Sequence, residues 1–233
     1  MYHPFSITQT LSIAWHILKK NFAAIAVYTL LAFVVIVGTS ILLKFILIDV
    51  FMEAAGIILF LVCISFIFLG FVKLIFQLID REYYDFDFKD ILPNFKMLLS
   101  YIVLLGLIST LGVFVPKAIK TLDDGILKYL LGIFFGFFIE TFCLFYFPIC
   151  TCFIIDDNSG PFESVIQSFQ LISGNFFKYF LLFVIIEGMV FLGAITVIGM
   201  IFVVPFVNIL LVVAYRKLVY SRLDVDDDVT ETM

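Results

Sequence analysis

The sequence predicts an all-α, polytopic membrane helical bundle of six transmembrane helices arranged as three hairpins, each preceded by a short amphipathic interfacial helix. Three observations predict it. Apolar residues make up 64% of the chain and charged residues 14%, against roughly 45–50% and about 25% in soluble domains. Six apolar runs reach the length of about 20 residues that a helix needs to cross hydrocarbon. One amphipathic pattern recurs before every second run. A soluble domain must cover its surface with polar side chains, whereas lipid demands the opposite, so a mean hydropathy of +1.19 spread over the whole chain places one domain, residues 1–222, in a bilayer.

The elements follow in order. Ile7, Leu11, Ala14, Trp15 and Leu18 share one helical face, with Ser6, Thr10, His16 and Lys20 turned largely away, and Ser6 and Gln9 stand at capping-box spacing. The first span runs from about Phe22 to Leu43, and Lys44, Asp49 and Glu53 separate it from the second, Ala55 to Ile79. After the polar stretch from Asp80 to Asp85, a shorter amphipathic element (Phe88, Ile91, Leu92, Phe95), with Asp87 and Asp90 imitating a capping box, leads into a third span, about Met97 to Val115. Pro116, Lys117, Lys120, Asp123, Asp124 and Gly125 predict a loop, followed by a long fourth span from Ile126 to Ile155.

The run Asp156, Asp157, Asn158, Ser159, Gly160, Pro161 is the strongest turn signal in the chain, and Pro161 suits the first turn of a helix. Phe162, Val165, Ile166, Phe169 and Ile172 then line one face beside Glu163, Gln167, Gln170 and Ser173. Phe176 to Leu218 is about twice the length of one span, which predicts two helices, 176–195 and 199–218, folded back near Gly193 to Gly199. Asp224, Asp226, Asp227, Asp228 and Glu231 make residues 223–233 an acidic segment of the composition of a solvated, disordered cytoplasmic tail.

Orientation follows from Lys and Arg. With six spans, Lys19, Lys20, Lys73, Arg81, Lys89, Lys96, Lys178, Arg216, Lys217 and Arg222 fall on one side, and Lys44, Lys117, Lys120 and Lys128 on the other, which places both termini in the cytoplasm. The N-terminus lacks the basic, apolar and small-residue regions of a secretory signal, so the first span is expected to direct its own insertion. Cys63, Cys143, Cys150 and Cys152 lie in or beside apolar runs without metal-ligand spacing and read as reduced packing residues.

The pattern Trp15, Leu18, Asn21-Phe22 recurs as Phe88, Ile91, Asn94-Phe95 and as Phe169, Ile172, Asn175-Phe176, each before a pair of spans. Three of the five Asn residues are followed by Phe, all at the same position of this threefold internal repeat. There a helix lying flat on the membrane must turn into it, and an Asn side chain can bond the backbone groups exposed at such a corner.

The stretch from Ser164 to Phe169, Asn175-Phe176, an apolar pair of helices containing Pro205, and the closing Ala214-Tyr215-Arg216-Lys217-Leu218 resemble a bacterial membrane family: the membrane domain joined to some glycerophosphodiester phosphodiesterases, and its stand-alone, uncharacterised relatives. The resemblance covers the layout of the whole chain and the motif of about the last 60 residues. It implies six helices in the bacterial inner membrane and no established activity. These residues hold no counterpart of the phosphodiesterase catalytic domain, so its chemistry is not expected to transfer.

Ionisable groups within spans cost about 2.5–3.5 kcal/mol each at the helix centre and are functional candidates by default. Lys73 lies near a span end and can snorkel. Glu140 and Glu187 fall deep within the fourth and fifth spans, and Asn208 follows Pro205 by one turn in the sixth. These four, Glu140, Glu187, Asn208 and Pro205, form the candidate intramembrane polar site, either packed against neighbouring helices or lining a cavity. No catalytic, metal-binding or cofactor-binding set is legible: Ser100, Ser109 and Thr110 read as helix-packing residues, His3 and His16 are the only histidines, and neither a phosphate loop nor a basic nucleic-acid patch is present. The expected function is a non-enzymatic protein that organises the membrane by binding lipid or membrane-protein partners; the alternative is a small transporter or permease component with a mid-membrane polar site.

Overall fold

The computed structural model describes residues 5–46, 50–80, 88–122 and 125–231, and every regular element among them is helical. The order is α1 (Ile7–Lys20), α2 (Phe22–Ile46), α3 (Val50–Asp80), α4 (Phe88–Ile91), α5 (Phe95–Lys120), α6 (Ile126–Thr141), a π-helical turn (Phe142–Tyr146), α7 (Phe147–Asp156), α8 (Pro161–Ser173), α9 (Phe176–Ile195) and α10 (Val197–Glu231). Asp49, residues 81–87 with Asp87, and Asp123 and Asp124 lie outside the described residues. Among the described residues, six stretches are long and apolar enough to cross a bilayer: Phe22–Phe45, Ala55–Asp80, Lys89–Lys120, Ile126–Asp156, Phe176–Ile195 and Gly199–Ser221. They make this a multi-pass membrane protein, with spans that contain those expected from hydropathy.

By its internal contacts the chain forms two compact units, Met1–Asn94 with Gln170–Met233, and Phe95–Phe169. The even hydropathy of residues 1–222 gives no sign of that division. In the first unit α10 is the axis: α9, α1 and α3 all pack on it, and α2 packs on α3. Buried residues make up 44% of the apolar window of α10 against 6% for α2, so α10 is the more enclosed helix, while α2 buries Ile25 and leaves the rest half-buried or exposed. The enclosed face is the 3–4 spaced set Leu210, Ala214, Tyr215 and Leu218, all at most 1% exposed.

The turn between α9 and α10 falls at Thr196, inside the interval the glycines indicate. Its extended backbone (φ −125°, ψ 122°) reverses the chain in one residue, and its hydroxyl accepts the Gly199 N–H at 3.2 Å. A Cβ on Gly199 would stand 2.5 Å from that hydroxyl and 3.0 Å from the Gly193 carbonyl oxygen. Only glycine fits so close an approach.

In the second unit α5 packs against α6 and α7. Pro116 is not part of the loop, as its sequence setting suggests, but lies inside α5, which continues through Lys117 to Lys120. Proline forfeits one donor near the end of a helix, and the following Ala118, Ile119 and Lys120 are tolerable helix formers, so the turn waits until Thr121 and Leu122, whose N–H groups reach back three residues to Ala118 and Ile119. Nor is the fourth span one uninterrupted α-helix. Around Phe142–Tyr146 the ladder widens, and the Phe147 N–H donates five residues back to the Phe142 carbonyl. The cause is Pro148, which lacks a donor and whose ring would meet the Leu144 carbonyl in a regular α-helix.

One further expectation changes. The Ser6 hydroxyl pairs with Thr8 instead of closing a capping box, because Gln9, the other half of that box, accepts from Lys217 at 3.0 Å. α10 runs as helix to Glu231: beyond Pro205 it contains no Pro or Gly, and extending an existing helix costs little.

Candidate functional site

Polar contacts gather at one level of the first unit, where α1, the end of α3, the start of α9 and the end of α10 meet. Arg216 of α10 pairs with Asp80 of α3 at 2.5 Å, and its guanidinium lies 4.9 Å from the centre of the Phe76 ring. Lys217 binds Gln9 of α1. Lys73, expected to snorkel, donates to the Leu92 carbonyl at 2.8 Å, satisfying a backbone group that no helix hydrogen bond uses because Pro93 follows. Sequence reasoning placed these cations on one side but missed their partners, since Asp80 and Arg216 are 136 residues apart.

The three Asn residues each stand just before a helix, at Phe22, Phe95 and Phe176. The Asn21 side chain donates to the Ile17 carbonyl at 3.2 Å, and its own carbonyl accepts the Ile25 N–H. Asn175 differs, since its amide reaches Ser221 of α10 at 3.3 Å and ties the start of one span to the end of another. Asn94 is exposed.

Of the mid-membrane candidates, Pro205 is buried, and Asn208 and Glu187 are half-buried in the first unit. The Asn208 amide is spent on the Val204 carbonyl at 2.8 Å, one turn back in its own helix, and not on the carbonyl that Pro205 leaves without a donor, which is that of Ile201. Glu140 belongs to the second unit and is exposed on α6, a helix with no buried residue. Its neighbours Phe134, Phe137 and Phe138 are 69%, 69% and 51% exposed, so the carboxyl sits on an otherwise greasy outer surface.

The amphipathic segments divide inside from outside in an unexpected way. In α8 the buried positions are Ser164, Ser168, Leu171 and Ile172, whereas Phe162 is 66% exposed, Ile166 57% and Phe169 42%. Small serines permit close helix approach, and their hydroxyls are satisfied by the Pro161 and Ser164 carbonyls. In α1, Thr10, placed by sequence on the polar side, is fully buried beside Ala14 and Leu18 because its hydroxyl bonds the Ser6 carbonyl at 2.7 Å. Trp15 remains half exposed.

None of the four cysteines forms a disulfide. Among the described residues, no three His, Cys, Asp or Glu side chains cluster as metal ligands would. Comparison of the chain with protein-family models, with curated proteins and with solved structures found no match.

Proposed function

We propose that this chain is a non-enzymatic inner-membrane protein that organises lipid or a partner membrane protein. Both termini lie in the cytoplasm, and the six spans form three hairpins, each introduced by an interfacial helix of an internal threefold repeat. The observation that carries this reading is the face of α8: Phe162 and Ile166 point outward, with Phe169 half exposed beside Tyr146, while the serines point in. Such a helix offers the headgroup region an apolar face. The resemblance of about the last 60 residues to the membrane domain of some glycerophosphodiester phosphodiesterases supports the same layout.

Glu140 favours the partner half of the proposal, because a carboxyl facing hydrocarbon costs about 2.5–3.5 kcal/mol until something covers or protonates it. The transporter reading keeps one observation of its own, the half-buried carboxyl of Glu187 in α9. One experiment separates them. Replacing Phe162 and Ile166 together by serine is expected to deplete co-purifying lipids and proteins, measured by mass spectrometry, with the six spans still inserted. Replacing Glu187 by glutamine is expected to leave that complement intact. If the glutamine variant instead abolished uptake of a solute into vesicles while the serine variant was silent, the organising role would be wrong.

A further inference from the structure

Two cavities of the first unit share a wall. One, of about 420 Å³, lies between α1 and α10 and is bounded by Trp15, Lys19 and Phe206. The other, of about 520 Å³, lies between α2 and α10 and is bounded by Ala26, Phe33 and Pro205. Leu18, Phe22 and Phe202 line both, so the two adjoin along these side chains as the two halves of one cleft. Each volume is within the roughly 300–1,000 Å³ typical of small-ligand sites.

The walls are hydrocarbon. Phe22 and Phe202 stack with centroids 6.1 Å apart, and the Thr29 hydroxyl is turned to the Ile25 carbonyl at 2.8 Å, leaving no donor aimed into the space. Only the α1 end is charged: the Lys19 ammonium stands 5.0 Å from the centre of the Trp15 ring. From Phe22 to Phe33 is eleven residues, about 16 Å at 1.5 Å per residue, or half of a hydrocarbon core of about 30 Å. The rim is open to the bilayer, with Leu30 65% and Phe33 66% exposed.

Shape selects the occupant. A volume of about 520 Å³ spread over about 16 Å leaves a channel roughly 6 Å across, too narrow for a helix of about 10–12 Å and suited to one extended alkyl chain. We propose that the cleft holds one acyl chain of an anionic glycerophospholipid drawn from the leaflet on the side of the N-terminus, with its phosphate at Lys19. This rests on the lipid-organising reading above and gives it a place.

The test uses the full chain, purified in mild detergent, with phosphatidylglycerol and phosphatidylcholine of identical acyl chains, read by native mass spectrometry. One phosphatidylglycerol is expected to be retained, at least threefold over phosphatidylcholine. Ala26→Phe, which fills the channel, is expected to lower retention at least fivefold, and Lys19→Gln to bring phosphatidylglycerol down to the phosphatidylcholine level. A phosphatidylglycerol carrying a diazirine near one chain end is expected to label the wild-type chain within residues 22–33 or 201–206, a readout that holds even if a variant fails to fold. Labelling confined elsewhere, or Ala26→Phe retaining lipid at the wild-type level, overturns the site while leaving the lipid-organising role standing. Retention of neither lipid by the wild type removes the site and the lipid half of that role together.

Discussion

Gly70 offers the sharpest test of packing in the first unit. It is buried in α3 opposite Tyr28 of α2, whose hydroxyl donates to the Ile67 carbonyl at 2.8 Å. A Cβ at position 70 would lie 2.5 Å from that hydroxyl oxygen, whereas the next nearest atoms, Tyr28 Cζ and the Ile91 carbonyl oxygen, are at an ordinary 3.6 Å. Gly70→Ala therefore forces the hydroxyl off its acceptor, leaving a polar group unsatisfied in an apolar setting at about 1–3 kcal/mol. The gain in helix propensity returns about 1 kcal/mol. The net expectation is a loss of about 1 kcal/mol.

In a Tyr28→Phe background the clashing atom is gone, only the propensity term remains, and the same substitution is expected to stabilise by up to about 1 kcal/mol. The assay is a double-mutant cycle by SDS titration in detergent micelles, followed by far-UV circular dichroism. A Gly70→Ala effect of equal sign and size in both backgrounds would refute the reasoning.

Gly199→Ala is expected to lower the thermal midpoint in detergent, by about 1–3 kcal/mol of overpacking against Thr196 and the Gly193 backbone, while Gly188→Ala, which meets nothing within 4 Å, holds or raises it. Arg216→Ala is expected to cost more than Asp80→Asn: the pair is partly exposed, at 20% and 44%, and contributes at most about 1 kcal/mol, whereas the arginine also stacks on Phe76. Raising the salt concentration should shrink the Asp80→Asn effect and leave part of the Arg216→Ala effect in place. Leu210→Ala, at a fully buried position of α10, is expected to cost about 2–5 kcal/mol; Phe177→Ala, 85% exposed, is expected to change stability by under about 0.5 kcal/mol. Equal losses at positions 210 and 177 in the same titration would contradict the assignment of α10 as the enclosed helix.

The deep polar residues show where sequence reading stopped. Glu140, Glu187 and Asn208 were visible as anomalies because each interrupts an apolar run, but nothing local says that Asn208 spends its amide on Val204 or that Glu140 sits on an outer face. Pro148 was the readable sign of the π-helical turn, and it lay hidden in a run whose hydropathy is uniform. The Lys19 and Trp15 mouth of the lipid cleft was equally hidden: the sequence set Trp15 on the same face as Ala14 and Leu18, yet those two are buried while it stands at the rim.

By itself the sequence determined the number of spans, their approximate ends and the turn near Thr196, because apolar length, charge position and glycine are local properties that a bilayer reads segment by segment. Only the tertiary structure decided which face of each helix is turned inward. In water the apolar side goes in, but lipid is as apolar as leucine, so burial there goes to whatever packs closely and bonds across. That is why the serines of α8 and Thr10 of α1 lie inside while Phe162 and Ile166 of α8 face out.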